Sequence, residues 1–494
     1  MIDTRGNHCG CIRKKINQYI DGQWRKGSSN KIQKVYNPYT SEVIAEVNIA
    51  SEEDIHAAYQ AAKEAQEHWG KVSASKKVSV LEKAYQFFEK HKDDIVETLC
   101  KEAGSSFVKA NIELEATMNV LKQSMDYPHQ LEERSELPAL IENKTNYVYR
   151  APIGVAGIIS SFNFPLHLSM RSIAVAIATG NSVVHKPDMQ TALSGGVVIA
   201  KAFEDAGLPK GVFNLILTNT KEIGDSFIEH PIPKIISFTG STGVGRHIGS
   251  IAGKNLKRTA LELGGNNPFI VLEDADIDQA INAAIFGKFL HQGQICMIIN
   301  RILVHRNLYD TFIEKYTARA ASLKCGNPVD PSVVIGPLIN EKQADHVMSI
   351  IEEGKNEGAK LVLEGKREGN LITPFVFADV NNDMKIARSE IFGPVVSIIP
   401  FDNEEEAIHF ANDSEYGLSA GIFTENIEKG ITLARRIESG MAHVNDQSVN
   451  DDSLAPFGGE KASGIGRFGG QWALEEFTRI QWVSVQNQPR KYPF

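Results

Sequence analysis

"KIISFTGSTGVG", residues 234–245, decides the fold. Ile235, Ile236, Phe238 and Thr239 read as a short strand, Gly240 as a turn, and Gly243 and Gly245 open a helix near 244–252. The same alternation extends in both directions. Upstream lie "VAGIIS", "LHLSMRSIAVAIA", "NSVVHK", "ALSGGVVIAKAFEDAG" and "VFNLIL", then a helix near 221–229. Downstream come "TALELGG" and a second alternating block from "PFIVLEDAD" to about residue 445. Strand–helix alternation at this spacing means an α/β chain built of βαβ units on parallel sheets. Residues 51–127 read as helical. "SEEDIHAAYQAAKEAQEHW" opens on a capping box, Ser51 with Asp54, and puts Ile55, Ala58, Tyr59 and Ala62 on one face. "ENKTNYVYRAP" alternates as a hairpin strand should, and "FTRIQWVSVQNQPRKYPF" reads as a terminal edge strand that another subunit could cover.

Bulk properties narrow the function. The 494 residues suffice for two or three domains and a large core. Apolar content of 42% and charged content of 23% are those of an ordinary soluble globular protein. A net charge of −9 argues against a nucleic-acid or anionic-membrane surface. No apolar run is long enough to span a bilayer. The opening "MIDTRGNHCGCIRKKINQYI" lacks the apolar region of a secretory signal and reads as a loose polar tail. Five unpatterned cysteines, at 9, 11, 100, 296 and 325, point to a reducing compartment, hence a cytoplasmic protein. His8, Cys9 and Cys11 could clip a metal, but no second ligand pair follows them and structural zinc wants four ligands. No metal site is expected.

Four stretches could carry chemistry. Cys296 lies in "GKFLHQGQICMIINR", residues 287–301. A lone cysteine is ordinarily an inert small hydrophobe. Here Gly293 lets backbone approach a reacting atom, and Gln292 and Gln294 bring polar groups that a plain core avoids. In "LELGGNNP", Glu262 is either a solvated carboxylate or a general base. It ends a strand between Leu261 and Leu263, at the edge where parallel sheets put their sites, and partial desolvation there would raise its pKa. Asn163 in "SFNFP" sits at a strand-to-helix crossover, where it is a turn residue or a donor to a developing oxyanion. The turn Gly240-Ser241-Thr242-Gly243-Val244-Gly245 offers free N–H groups at a helix start, suited to a pyrophosphate, but its G-x-x-G-x-G spacing is not the dinucleotide fingerprint and equally fits a plain βα turn.

Together, and in this order, these stretches resemble the aldehyde dehydrogenase superfamily from "YIDGQW" at 19–24 to the C-terminus. The matching pieces are "SFNFP", "HKP" at 185–187, "FTGSTGVG", "LELGG", "GQICM", "EIFGPV" at 390–395 and "PFGGEKASGIGRFGG" at 456–470. "FLHQGQICM" and "HKPDMQTALSGG" look most like the benzaldehyde and vanillin dehydrogenase branch. The resemblance implies two Rossmann-like parallel-sheet domains with a small β oligomerisation arm. A flexible tail would take 1–16, the NAD(P)-binding domain 17–128 and 150–262, and the catalytic domain with the Cys loop 263–445. Residues 446–479 would return to the active site and cofactor domain, and 129–149 with 480–494 would form the arm of a homodimer or homotetramer.

The resemblance also implies roles. Cys296 matches the nucleophile that attacks the aldehyde carbon. Asn163, with the Cys296 N–H, matches the oxyanion hole. Glu262 matches the base that activates water to hydrolyse the thioester. Lys186 matches the residue holding the adenosine ribose, and Gly240 to Gly245, with Ser241 central, match the pyrophosphate turn. Glu390 and Phe392 match contacts to the nicotinamide ribose and ring. Phe164 and Phe457 fall where relatives line the aldehyde funnel. The expected reaction is NAD(P)-dependent oxidation of an aromatic aldehyde to its acid.

Departures qualify this. Met189 replaces a Glu found three residues past the matching Lys in many NAD-specific relatives, which predicts that NADP is tolerated along with NAD. His291 stands where Asn is common and is read as a branch marker, not a metal ligand. Ser172 and Phe468 occupy positions where some relatives carry a Lys and a Glu relaying protons from the base. Three alternatives stand beside this reading. A CoA-acylating relative would typically lack a base like Glu262. A cofactor-free cysteine hydrolase would not need the pyrophosphate turn. A non-catalytic binding protein would not need Cys296, Glu262 and Asn163 together.

Overall fold

A computed structural model describes residues 14–494. His8, Cys9 and Cys11 lie outside the described residues. Within the stretch read as a tail, Lys14–Ile16 pairs in parallel with Ala45–Val47. Its backbone hydrogen bonds go into a three-stranded sheet with Ile32–Tyr36 and Val43–Asn48.

An eight-stranded sheet forms the first α/β layer. Its centre is parallel: Arg258–Glu262, Ile235–Thr239, Val155–Ile159, Ser182–Lys186 and Phe213–Leu215 lie side by side. Their near-continuous apolar runs fit strands buried on both faces. Gln18–Ile20 joins antiparallel and turns back into Gln23–Arg25. That two-residue turn is Asp21-Gly22, both at positive φ (50° and 74°), the combination a type I′ hairpin demands. Four long helices, Glu52–Trp69, Ala74–Lys90, Lys92–Ala103 and Phe107–Ser124, occupy the stretch read as helical. The capping box forms. Asp54 accepts from the Ser51 N–H at 3.1 Å, and Ser51 Oγ accepts from Glu53 N–H at 3.2 Å. The helix expected near 221–229 is two short ones, Thr220–Ile223 and Ser226–Glu229, broken at Gly224 (φ 51°).

A seven-stranded sheet forms the second layer. Gly421–Phe423, Asn267–Val271, Ile299–His305, Val395–Phe401 and Phe375–Ala378 run parallel. A separate three-stranded sheet pairs Lys144–Pro152 with Arg134–Leu137 on one side and with the whole of Thr478–Gln486 on the other. Among the described residues, no helix is long and apolar enough to cross a membrane.

Register positions the site. Ile159 pairs with Lys186, and Thr239 with Glu262, so the C-terminal ends of four strands line up on one edge of the first sheet. The second sheet brings up its N-terminal ends. Cys296 precedes Ile299–His305, and Glu390 and Phe392 precede Val395–Phe401.

Candidate functional site

The Cys296 sulfur lies 3.2 Å from Glu262 Oε1. The two residues come from the edges of different sheets, and their meeting joins the strongest expectations from the sequence. Glu262 is buried, with Thr239 Oγ1 donating to its Oε2 at 3.2 Å. Arg171 pairs with that same oxygen. The expected effect of burial on Glu262 left this cation out, and a guanidinium favours the charged carboxylate.

The Cys loop is irregular, so its shape comes from tertiary contacts. His291 and Gln292 hold positive φ (52° and 56°), a costly conformation for non-glycine residues. Gln292 Nε2 donates to Gly104 O and Pro337 O, each at 2.9 Å, and its Oε1 accepts from Gly336 N–H at 3.1 Å. Gln294 Oε1 accepts from Ile339 N–H at 3.0 Å. These amides, read from the sequence as signs of a polar site, are structural pins. Gly293 has a similar explanation: its φ is 81°, and a Cβ there would lie 2.2 Å from Gly393 O. It makes room for neighbouring backbone.

Closer to the sulfur, Asn267 Nδ2 donates to Cys296 O and Ile298 O, both at 2.8 Å, and Ser448 Oγ donates to Met297 O at 2.6 Å. Gly265 is required because a Cβ would lie 2.3 Å from Cys296 O. With the carbonyl tied back, the Cys296 N–H is left over, and no backbone carbonyl among the described residues accepts from it. Burial pushes the thiol up to about 12; Arg171 and the Met297 N–H oppose this, while Glu390 and Asp451 add to it.

Asn163 is buried in the turn between Val155–Ile159 and helix Pro165–Ala178. Ser161 Oγ donates to its Oδ1 at 2.8 Å, which orients the amide and leaves Nδ2 as the donor. A wholly buried pair supports the turn. Lys109 Nζ donates to Asn163 O at 2.6 Å and to Glu113 Oε2 at 2.5 Å. Glu113 Oε1 accepts from the Leu166 and His167 N–H groups at the helix start, at 2.8 and 3.3 Å. Phe164 stacks edge-on against His291 at 6.0 Å. His291 is fully buried with no partner on either ring nitrogen, and burial holds its pKa well below the ordinary histidine value. No metal-binding cluster of three His, Cys, Asp or Glu occurs among the described residues.

Of the residues matched to a dinucleotide, Lys186 and 240–245 line the first sheet's edge, and Glu390 and Phe392 approach from the second. Ser241 caps helix Thr242–Lys254 by backbone alone, so its hydroxyl is uncommitted. The first N–H groups of this 13-residue helix have no intrahelical acceptor, and a Cβ on Gly243 would meet nothing within 4 Å. Val244 is exposed. Gly240 and Gly245 are small for packing instead, since Cβ atoms there would strike Phe238 and Leu263. Thr242 is committed too, donating to Ala462 O at 3.1 Å and accepting from Gly264 N–H at 3.3 Å. Lys186 ends its strand; burial lowers its pKa, with Asp188 opposing. Met189 points into the core. Glu390 accepts from Gly265 N–H at 3.1 Å, and burial pushes it up to about 7. Phe392 has positive φ (55°), and its ring meets Phe162 at 6.0 Å. A helix start, a strand-end lysine and a carboxylate with spare acceptor capacity suit a pyrophosphate and two ribose hydroxyls.

Arg171, Asp451 and His167 were missed from the sequence. Asp451 Oδ2 accepts from Arg171 Nη1 at 3.3 Å and contacts His167 Nε2 at 2.7 Å. The guanidinium also lies over the Phe457 and Phe468 rings, at 4.3 and 4.6 Å. The available signal was a lone Arg inside the mostly apolar "PLHLSMRSIAVAIA". Ser172, one residue on, faces away and hydrogen-bonds Ser237 at 2.9 Å.

Comparison with known proteins finds relatives along nearly the whole chain. The model described as "Aldehyde dehydrogenase family" matches residues 24–483. Benzaldehyde dehydrogenase YfmT of Bacillus subtilis is 48% identical over 97% of this chain and 98% of its own. A vanillin dehydrogenase of Corynebacterium glutamicum is 47% identical over 94% of this chain and 97% of its own. The crystal structure of an NAD-dependent benzaldehyde dehydrogenase from Corynebacterium glutamicum superposes with TM-score 0.88 at 44% identity, covering 95% of this chain and 98% of that one.

Proposed function

Because the chain belongs to the aldehyde dehydrogenase family, we propose that it oxidises aromatic aldehydes, benzaldehyde- or vanillin-like, to carboxylic acids with NAD. The observation that carries this is the 3.2 Å approach of Cys296 Sγ to Glu262 Oε1, beside an N–H with no backbone acceptor. The sulfur passes its proton to Glu262 Oε1, which returns it to solvent before hydrolysis, and bonds to the carbonyl carbon, whose oxygen becomes an alkoxide. The Cys296 N–H and Asn163 Nδ2 receive that charge; one such donor is worth about 2.7–4 kcal/mol in the transition state. Lys186, Ser241, the 242–244 N–H groups, Glu390 and Phe392 would hold NAD, which would supply the acceptor for the hydride lost from the alkoxide carbon. Cys296 then carries the acyl group as a thioester. Glu262 takes a proton from water, the water oxygen attacks the acyl carbon, the C–S bond breaks and the acid leaves. A base against the sulfur favours hydrolysis over acyl transfer to CoA, and pairing it with a nucleophile argues against a binding role alone.

The aromatic preference is supported by the names of the relatives and by Phe164 and Phe457. Ring stacking adds only about 0.5–1.5 kcal/mol beyond burial, so specificity should be broad. Values of kcat/KM for benzaldehyde, vanillin and hexanal test it, and a tenfold preference for hexanal would reject it. Met189 removes an acid that would repel a 2′-phosphate, so NADP is a second cofactor; absence of NADP turnover would dispose of that.

The domain division given above belongs to the same reading, as does a homodimer or homotetramer. Thr478–Gln486 is an edge strand exposing Ile480 and Trp482 (59% and 65%), which a second copy would cover. A monomer by sedimentation would refute this. The free thiols of Cys100, Cys296 and Cys325 suit the cytoplasm.

A further inference from the structure

Arg171 is the only Lys, Arg, Asp or Glu in helix Pro165–Ala178, all of whose residues are buried. Burying a cation is costly unless it is paired and hydrogen-bonded, so its partners show what it is for. They are Glu262 from the first sheet and Asp451 from the loop after residue 446. Phe457 and Phe468 flank it. His167, one turn earlier on the same helix, holds Asp451. The charged groups facing Cys296 are Glu262, Glu390 and Asp451, against the single guanidinium. Lys109 lies farther back, behind Asn163 and neutralised by Glu113.

We infer that Arg171 is a positioning residue that holds Glu262 as a carboxylate and eases ionisation of the Cys296 thiol before an aldehyde binds, with Asp451, held by His167, drawing on the same guanidinium. This rests on Cys296 being the nucleophile. A thiolate among three carboxylates is disfavoured, and burial holds the thiol up at about 12 even with Arg171 beside it. Arg171 is the largest opposing influence there. Arginine suits the task because a guanidinium stays charged at a desolvated site where a lysine loses its proton. Asp451 itself shows how tightly the cluster is coupled. Burial would raise its carboxyl, yet His167 and Arg171 hold it below the ordinary range. The cluster also answers the departure at 172 and 468. With Ser172 turned away and Phe468 a ring, the cation near the base comes from position 171.

The test is the pH dependence of Cys296 alkylation by iodoacetamide in the full-length protein without cofactor, with the modified cysteine identified by peptide mass. Arg171→Gln should slow the reaction about tenfold or more at pH 8 and raise its midpoint by about one pH unit or more. Arg171→Lys should fall between this variant and wild type. Asp451→Asn, which removes a carboxylate that competes for the cation, should lower the midpoint. An unchanged midpoint in Arg171→Gln overturns the inference. So does a shift of Arg171→Gln and Asp451→Asn in the same direction, the result of loosened packing alone. If Arg171→Gln does not fold, the Asp451→Asn arm decides, and a midpoint that fails to fall overturns it. Failure of the nucleophile reading is distinct: Cys296→Ser would still oxidise aldehyde whatever the alkylation profile.

Discussion

The two loops that meet at the candidate site are built on opposite plans. The turn at 240–245 is local. Strand Ile235–Thr239 ends, Gly240 turns the chain, and helix Thr242–Lys254 begins, so the useful N–H groups follow from where the elements stop. The loop at 290–298 has no such rule. Two non-glycine residues sit at positive φ, and side chains from distant segments bind its backbone: Asn267 and Ser448 directly, with Gln292 reaching out to 104 and 336–337. A site half made of regular termini and half of pinned irregular chain should respond unequally to mutation. The pinned half is where small changes are felt.

Asn267→Ala should have the largest effect. It frees the carbonyls of Cys296 and Ile298 together and lets the Cys296 sulfur drift. A misplacement of about 1 Å costs roughly 10²-fold, so kcat should fall by about that much with little change in KM for NAD. Steady-state kinetics check it, and wild-type kcat would erase the contrast. Gln292→Ala comes next. It strands Gly104 O, Pro337 O and Gly336 N–H, at about 1–3 kcal/mol for each buried group, and urea denaturation should show a loss of about 3 kcal/mol or more.

At the local turn, Ser241→Ala should be mild. Its hydroxyl makes no cap bond, so stability should change by less than about 0.5 kcal/mol, while KM for NAD rises roughly fivefold. The smallest effect is in pH. Burial raises Glu390 to about 7, so between the ordinary carboxylate value and 7 the folded chain binds more protons than the unfolded one. Stability from this group is therefore lost as pH rises through that window. Glu390→Gln should gain on wild type between pH 5 and 8; a constant difference would contradict the burial argument.

The same contrast explains what could be read from the sequence. The parallel units, the Ser51 capping box and the terminal strand follow from short-range rules, and the structure contains each. So does the placement of Glu262 at a strand end. Arg171 and Asp451 are 280 residues apart, and no local pattern links them. Lys109 and Glu113 look like an exposed i,i+4 pair, yet both are wholly buried under the Asn163 turn. Gln292 and Gln294 were noticed and misread, because a pin and a polar site look alike until the acceptors are known.

The central claim is a covalent bond between the Cys296 sulfur and the carbon being oxidised, broken by water that Glu262 activates. Glu262→Gln, mixed with benzaldehyde and NAD and examined by intact and peptide mass spectrometry, tests it most directly. The account predicts a benzoyl group on Cys296, close to one per chain, formed with a matching burst of NADH and little turnover after it. Steady acid production by this variant, with no acyl group on Cys296, would contradict it.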